Sequence, residues 1–340
     1  MPYQAFDLLW RGIDGLDGEA VRGPEAGAVI LFARNLDPDP IHGPERCHRL
    51  IQNLQARWGG GTPLAVALDQ EGGAVSRLRV WAGPTPSLRR IWEQGGTSAC
   101  ARWGSLWGQG LRLLGINVDF APVADLWDGH PDTGMGDRCA SIDPGAVAMA
   151  AGAFLHGLES TGVHGCLKHF PGLGGTQVDS HRALPELADA VQIQRNILPF
   201  MALCHPHRLV MVAHLKLPVT GGLPASLHRA SVAENAWGIQ GRWIPDDLEM
   251  GGCGDWSWPD RVRLCLEAGH QALLVCQTAQ GIESCATALA ALPTASWAPA
   301  RQAFLALREN LLPADLASFD RPSWQTWRSE LCSEAAAYDC

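Results

Sequence analysis

Asp179 and His181 lie two residues apart at the end of the stretch Lys168-His169-Phe170-Pro171-Gly172-Leu173-Gly174-Gly175-Thr176-Gln177-Val178-Asp179-Ser180-His181. In an extended segment residues i and i+2 point to the same side, so this carboxylate and this imidazole can meet. A carboxylate that accepts a bond from one ring nitrogen fixes the tautomer and raises the basicity of the other nitrogen. Such a pair is equipped for general acid/base work. Pro171, Gly172, Gly174 and Gly175 exclude regular structure ahead of it, so the pair is expected on a mobile, hinged loop. A solvated surface turn would account for the same residue types.

Other groups could work with this pair. Asp69-Gln70-Glu71-Gly72-Gly73 leads to Arg77, and a carboxylate with an arginine eight residues on suits recognition of sugar hydroxyls through charge-assisted hydrogen bonds. A capped loop with a surface ion pair is the plainer account. Gly134-Met135-Gly136-Asp137-Arg138 presents an Asp-Arg pair on a glycine-flexed loop, where an exposed ion pair is equally consistent. Ala213-His214 closes an apolar run, and a lone histidine there is ordinarily a hydrogen-bonded structural residue. In Ile244-Pro245-Asp246-Asp247-Leu248-Glu249-Met250 one acid can face a site as a nucleophile while the other points away and caps the following helix; both could equally be caps. Among His164, His169, His181, His205, His207 and His214 there is no His-x-His pair at a strand end and no His-Glu-x-x-His; His205-Pro206-His207 falls in an expected helix-to-strand connection with no carboxylate nearby, so no catalytic metal is expected. The Gly-Gly pairs form neither a Walker loop nor a G-x-G-x-x-G after a strand, and no nucleotide cofactor is expected.

The elements that must carry these groups recur along the chain. Apolar runs predict strands at residues 6–10, 28–32, 64–68, 116–121, 165–167, 209–213, 242–245 and 272–275. Their continuous apolar character suits a parallel sheet buried on both faces. Helical patterns lie between them at 46–57, 101–114, 144–159, 191–204 and 258–268. Eight βα units in 340 residues predict an α/β fold, a (β/α)8 TIM-like barrel, with a doubly wound open sheet as competitor. No linker divides the chain, so one domain over 1–340 is expected, the barrel at about 5–290 and a helical extension after it. Strand after strand ends in a polar group: Arg34, Asp69, Asp125, Lys168 with His169, His214, and Asp246 with Asp247. In a barrel those ends share one face, and that clustering marks an enzyme.

Composition excludes several classes. A net charge of -9 argues against nucleic acid or an anionic membrane as partner. No apolar run reaches the roughly 20 residues of a membrane span, and residues 1–15 lack a signal-peptide pattern. The eleven cysteines are odd in number and contain no Cys-x-x-Cys, so neither a disulfide framework nor a zinc ribbon is expected, and a reducing cytoplasm fits best. Of the fourteen tryptophans, Trp256 and Trp258 fall in expected loops, where one or two could stack on a sugar.

Several stretches, in order, resemble the single-domain β-N-acetylglucosaminidases of glycoside hydrolase family 3, whose best-known members act in bacterial cell-wall recycling. They are Ala28-Val29-Ile30-Leu31-Phe32-Ala33-Arg34-Asn35, Leu68-Asp69-Gln70-Glu71-Gly72-Gly73, Asp119-Phe120-Ala121-Pro122-Val123, Gly136-Asp137-Arg138, Lys168-His169-Phe170-Pro171-Gly172, Asp179-Ser180-His181, Ala213-His214 and Asp246-Asp247-Leu248-Glu249-Met250. The resemblance implies a retaining hydrolase that removes non-reducing terminal β-linked N-acetylglucosamine from muropeptides or from a disaccharide with anhydro-N-acetylmuramic acid. It implies Asp246 as nucleophile, His181 as acid/base, Asp179 orienting His181, and Asp69, Arg77, Arg138, Lys168 and His169 holding the sugar. It implies no cofactor, a saccharide as the partner, and a monomer. The rivals are a relative that transfers the sugar to phosphate and a sugar-binding protein without activity. Two departures stand out. Leu173-Gly174-Gly175 replaces the usual His-Gly-Asp, so the loop is expected to lose polar anchors and gain freedom. Pro245 replaces a small hydroxyl residue before Asp246 and restricts Ile244 to extended geometry.

Overall fold

The computed structural model describes residues 2–16, 23–127, 129, 134–314 and 317–338. Eight strands form one sheet: β1 (Leu9–Gly12), β2 (Ala28–Ile30), β3 (Ala65–Leu68), β6 (Val118–Asp119), β7 (His164–Phe170), β8 (Leu209–Val212), β9 (Arg242–Pro245) and β10 (Leu273–Val275). The order is β10-β1-β2-β3-β6-β7-β8-β9, and every ladder in it is parallel. The two ends meet through Gln271 N–H donating to the Trp243 carbonyl and Leu248 N–H to the Leu274 carbonyl, both at 2.9 Å, which brings the sheet close to a closed barrel. A separate hairpin, β4 (Gln70–Gly72) and β5 (Val75–Ser76), follows β3.

The helices are α1 (Gly43–Trp58), α2 (Arg79–Ala82), α3 (Leu88–Leu114), α4 (Pro144–Glu159), α5 (Ala190–Leu203), α6 (Trp258–Ala268), α7 (Ala279–Ala291), α8 (Thr294–Arg308) and α9 (Arg321–Ala335). Local sequence sets many of their ends. Ser87, Asp143, Asp189, Ser257, Thr278 and Asp320 accept backbone N–H bonds as N-caps of α3, α4, α5, α6, α7 and α9. Among the described residues no helix is long and apolar enough to cross a membrane.

The architecture is the expected TIM-like (β/α)8 barrel, with two shifts of detail. The first strand begins at Leu9 rather than at residue 6, because Pro2–Leu8 winds as a 3-10 helix. The helix expected at 101–114 lies in the second part of α3, which starts at Leu88 and leaves helical geometry at Gly96 (φ 57°, ψ -148°), so the Gly95-Gly96 pair divides α3 into two helical segments. The C-terminal helices close the far side. Phe304 of α8 packs on Trp10 at 5.5 Å, and Trp10 stacks on Phe120 inside the barrel at 5.7 Å. Arg308 of α8 donates to the carbonyls of Gly59 and Pro63, which precede β3. With the strands' N-terminal end covered this way, the C-terminal end is the open one. α9 lies on α3 through Trp327, whose indole N–H donates to the Leu106 carbonyl at 2.7 Å.

Candidate active site

A cavity of about 160 Å3 opens at the C-terminal ends of the strands and is lined by Asp69, Glu71, Arg77, Arg138, Lys168, His169, His181, Asp246 and Asp247, with apolar walls from Ile30, Phe32, Phe120, Met211 and Leu274. All the candidate residues except Asp179 therefore face one space, although they come from strands and loops more than a hundred residues apart. Its aromatic lining among the described residues is Phe32 and Phe120, and no tryptophan; Trp258 instead begins α6 with Arg261 over its ring at 4.8 Å.

One wall is a dense charge cluster. β3 delivers Asp69, and the hairpin after it returns Arg77, whose Nη2 lies 3.3 Å from Asp69 Oδ2. Lys168, near the end of β7, reaches Asp69 Oδ1 at 2.8 Å and Glu71 Oε1 at 2.5 Å. Arg138 grips the same Glu71 through two parallel bonds, Nε at 2.8 Å and Nη2 at 2.9 Å. Arg138 thus pairs across the cavity with Glu71 rather than with its neighbour Asp137. Arg89, stacked on Trp127 at 3.9 Å, holds this loop from behind by donating to the Gly136 and Cys139 carbonyls. Burial alone would raise the Glu71 carboxyl, but the Arg138 and Lys168 charges outweigh it and hold Glu71 well below the ordinary carboxylate range. Burial likewise opposes ionisation of Asp69, and Lys168 and Arg77 reverse the sign. Lys168 is pushed up against its own burial by Asp69 and Glu71.

His169 is fixed by Asp125, a strand-end group to which the sequence assigned no role. Asp125 Oδ2 takes both the His169 backbone N–H at 3.0 Å and a bond with Nδ1 at 2.7 Å, leaving Nε2 for the cavity. Glu71 was also missed, although its place two residues after Asp69 in near-extended chain puts both acids on one side. Two strand-end groups do other work. Arg34 staples loops by donating to the Ile13 and Cys276 carbonyls. His214 is fully buried, bonded through Nδ1 to Ser226 Oγ at 2.7 Å and through Nε2 to the Asp247 carbonyl at 2.9 Å, and burial lowers its pKa.

The loop after β7 is not the slack segment expected from Leu173 and Gly175. Leu173 is buried, and its N–H donates to Asp125 Oδ1 at 2.7 Å. Asn196 of α5 donates to the carbonyls of Gly172 at 3.0 Å and Gly174 at 2.8 Å. Thr176 turns back onto the Leu173 carbonyl. Beyond this stem, Asp179 Oδ1 accepts the His181 N–H at 2.9 Å and lies 2.8 Å from its Nδ1. The His181 side chain, 68% exposed, is then free to offer Nε2 to the cavity mouth. Burial opposes ionisation of Asp179, and the bonds from His181 overcome it, lowering its pKa.

Pro245 leaves the aim of Asp246 supported. It pairs in register with Val212, and the ladder continues one residue later as Asp246 N–H donates to the Val212 carbonyl at 2.9 Å. Asp246 Oδ1 accepts the next N–H at 2.8 Å, leaving Oδ2 for the cavity that Asp246 lines. Asp247 was expected to turn away and cap a helix. Ser257 caps α6 instead, while Asp247 also lines the cavity and accepts from Glu249 N–H, Cys276 N–H and the Gln277 side chain. Burial, with the Glu249 and Asp246 charges adding to it, raises Asp247 to about 6.

Among the described residues no group of three or more His, Cys, Asp or Glu is arranged to hold a metal. A carboxylate facing a cavity, a carboxylate-bound imidazole at its mouth and a wall of paired cations can together bind a polyhydroxyl ring, attack it and move one proton.

The family described as the glycosyl hydrolase family 3 N terminal domain matches residues 15–298. A beta-hexosaminidase of Pseudomonas aeruginosa is 34% identical over 285 residues, covering 81% of this chain and 82% of that protein. A glycoside hydrolase family 3 beta-N-acetylglucosaminidase from Paenibacillus sp. superposes with a TM-score of 0.85 at 25% identity, over 99% of this chain and 68% of that one. NagZ from Neisseria gonorrhoeae, solved with N-trifluoroacetyl-D-glucosamine, superposes with a TM-score of 0.76 at 26% identity, over 97% of this chain and 98% of its own.

Proposed function

The chain belongs to glycosyl hydrolase family 3 and is a glycoside hydrolase, and from that premise we propose that it removes non-reducing terminal β-linked N-acetylglucosamine with retention, acting on muropeptides or on the disaccharide with anhydro-N-acetylmuramic acid. The observation that carries this reading is the convergence of Asp246 and the Asp179-bound His181 on the one cavity whose wall is the Asp69–Lys168–Glu71–Arg138 cluster. The named relatives, a beta-hexosaminidase and beta-N-acetylglucosaminidases, support the sugar.

Asp69, Arg77, Arg138, Lys168 and His169 hold the ring, and charge-assisted bonds to its hydroxyls fix C1 over Asp246. Asp246 attacks C1 while His181, as the imidazolium, gives its Nε2 proton to the departing oxygen. The result is a glycosyl ester on Asp246. Asp179 stabilises the imidazolium and keeps Nδ1 protonated throughout, so that Nε2 alone exchanges its proton. In the second half the neutral His181 takes a proton from water, which attacks C1 and releases Asp246. A neutral imidazole at this step repels an incoming anion less than a second carboxylate would.

Release of nitrophenol from the β-N-acetylglucosaminide, run beside the β-glucoside, tests the proposal, with sugar phosphate assayed in phosphate buffer. Cleavage of the acetamido sugar alone, without sugar phosphate, is expected. Asp246→Ala should abolish turnover with an unchanged melting curve, and wild-type-like turnover in that variant would overturn the nucleophile assignment.

A further inference from the structure

The segment that carries His181 hangs between two anchors. Upstream, Asp125 and Asn196 hold the stem as far as Thr176. Downstream, Pro185 and Leu187 exchange backbone bonds with Lys216. Between them, among the described residues, the backbone bonds that tie 177–184 to another element come from one place. Gly251 N–H donates to the His181 carbonyl at 3.3 Å, and Gly252 N–H to the Ser180 carbonyl at 3.1 Å. Both donors sit in the turn that follows Asp246 and Asp247.

The approach is too close for any other residue. A Cβ on Gly251 would stand 2.5 Å from the Arg182 carbonyl oxygen and 3.0 Å from that of His181. A Cβ on Gly252 would stand 2.6 Å from the His214 Cβ. Neither glycine has a positive φ, so the backbone conformation does not demand glycine here; the contact does. His214 completes the support, because its Nε2 bond to the Asp247 carbonyl fixes the start of the same turn.

We infer that Gly251 and Gly252 are positioning residues that latch the acid/base loop onto the turn behind the nucleophile, so that His181 is registered against Asp246 through the backbone. The inference rests on the proposed roles of His181 and Asp246. It assigns the latch to proton transfer and not to sugar binding, since neither glycine lines the cavity.

The test uses Gly251→Ala, Gly252→Ala and His181→Ala in the full chain. Substrates are N-acetylglucosaminides with leaving groups from dinitrophenol, which needs no proton, to a second sugar, which does. Each glycine variant should lose about 100-fold or more in kcat/KM on the sugar leaving group. On the dinitrophenyl substrate kcat/KM should change less than about threefold, because its glycosylation step needs no acid. Azide should restore kcat there: its terminal nitrogen forms the bond to C1 as the C1–Asp246 ester bond breaks, with no proton to remove. Equal losses on every leaving group, or none, beside a leaving-group-dependent His181→Ala would overturn the latch and leave the acid/base intact. A His181→Ala without leaving-group dependence would overturn the acid/base reading and the latch with it. Hydrogen exchange on the wild type decides even if the alanines fail to fold. The Gly251 and Gly252 amides should exchange at least about tenfold slower than in free chain, and free-chain exchange would refute the latch.

Discussion

Replacing Glu71 by glutamine probes whether one buried carboxylate organises the charged wall proposed to hold the sugar. Glu71 accepts two bonds from Arg138 and lies 2.5 Å from Lys168 Nζ, with a side chain only 4% exposed. The amide keeps the shape and one acceptor oxygen but turns an N–H donor toward a cation. Lys168 retains Asp69 at 2.8 Å, whereas Arg138 is left with the Gly134 carbonyl at 3.2 Å and the Met135 sulfur at 3.7 Å. Removing one partner of a buried pair costs about 3–5 kcal/mol. The retained acceptor and the surviving Lys168–Asp69 pair place this variant near 3 kcal/mol, a fall of roughly 6 °C in melting temperature at about 2 °C per kcal/mol. Misaimed cations should also lower kcat/KM about 100-fold, close to 2.7 kcal/mol, and by the same factor for good and poor leaving groups. The pH dependence has a definite sign. Arg138 and Lys168 hold Glu71 below its ordinary 4.5 against the opposing effect of burial, so its stabilisation is complete above that pH and lost only as pH falls through the lower, folded value. The melting deficit of Glu71→Gln should therefore be flat from about pH 5.5 to 8. A melting curve within about 2 °C of wild type, or a deficit that shrinks across that range, would refute the reasoning.

Asp247 carries the opposite sign. Its rise from 3.8 to about 6 amounts to a penalty of about 3 kcal/mol that is absent below pH 3.8 and complete above about 6, so Asp247→Asn should raise the melting temperature at pH 7.5 and leave it unchanged near pH 4. Equal effects at both pH values would count against this. Asn196→Ala strips two buried carbonyls of their donor, at a cost of about 2–4 kcal/mol, and should speed proteolytic nicking at 171–176; an unaltered digestion rate would mean the clasp is not what holds the stem.

The barrel was legible because eight buried parallel strands must read as short, continuous apolar runs, and the run at 242–245 coincides with β9. Where the reading slipped, tertiary packing overrode a local signal. The strand expected from residue 6 starts at Leu9, because Pro2–Leu8 winds as a 3-10 helix that packs on α7 and α8. In the site, the Asp179–His181 contact follows from i, i+2 spacing, and the structure places the pair at 2.8 Å. Asp125, 44 residues before His169, has no such local signature; its role exists only once β7 and the segment after β6 lie side by side. Arg138 was read with Asp137 because adjacency is visible in a sequence, while Glu71, 67 residues away, is not.

The Leu173 departure shows why a lost polar residue need not loosen a loop. Asp125 secures the stem through the Leu173 backbone N–H, and Asn196 through the Gly172 and Gly174 carbonyls. None of these bonds depends on the side chain at 173, so an apolar residue there keeps every one of them and adds buried area. The glycines answer a separate constraint. At Gly172 (φ 112°) a Cβ would meet Asn196 Cβ at 2.6 Å, and at Gly174 it would meet Asn196 Oδ1 at 2.7 Å, so the clasp closes only over bare backbone. The freedom expected of the whole loop is thereby confined to the stretch beyond Thr176, which carries His181, the proposed acid/base, and which main-chain bonds from Gly251 and Gly252 tie to the turn after Asp246.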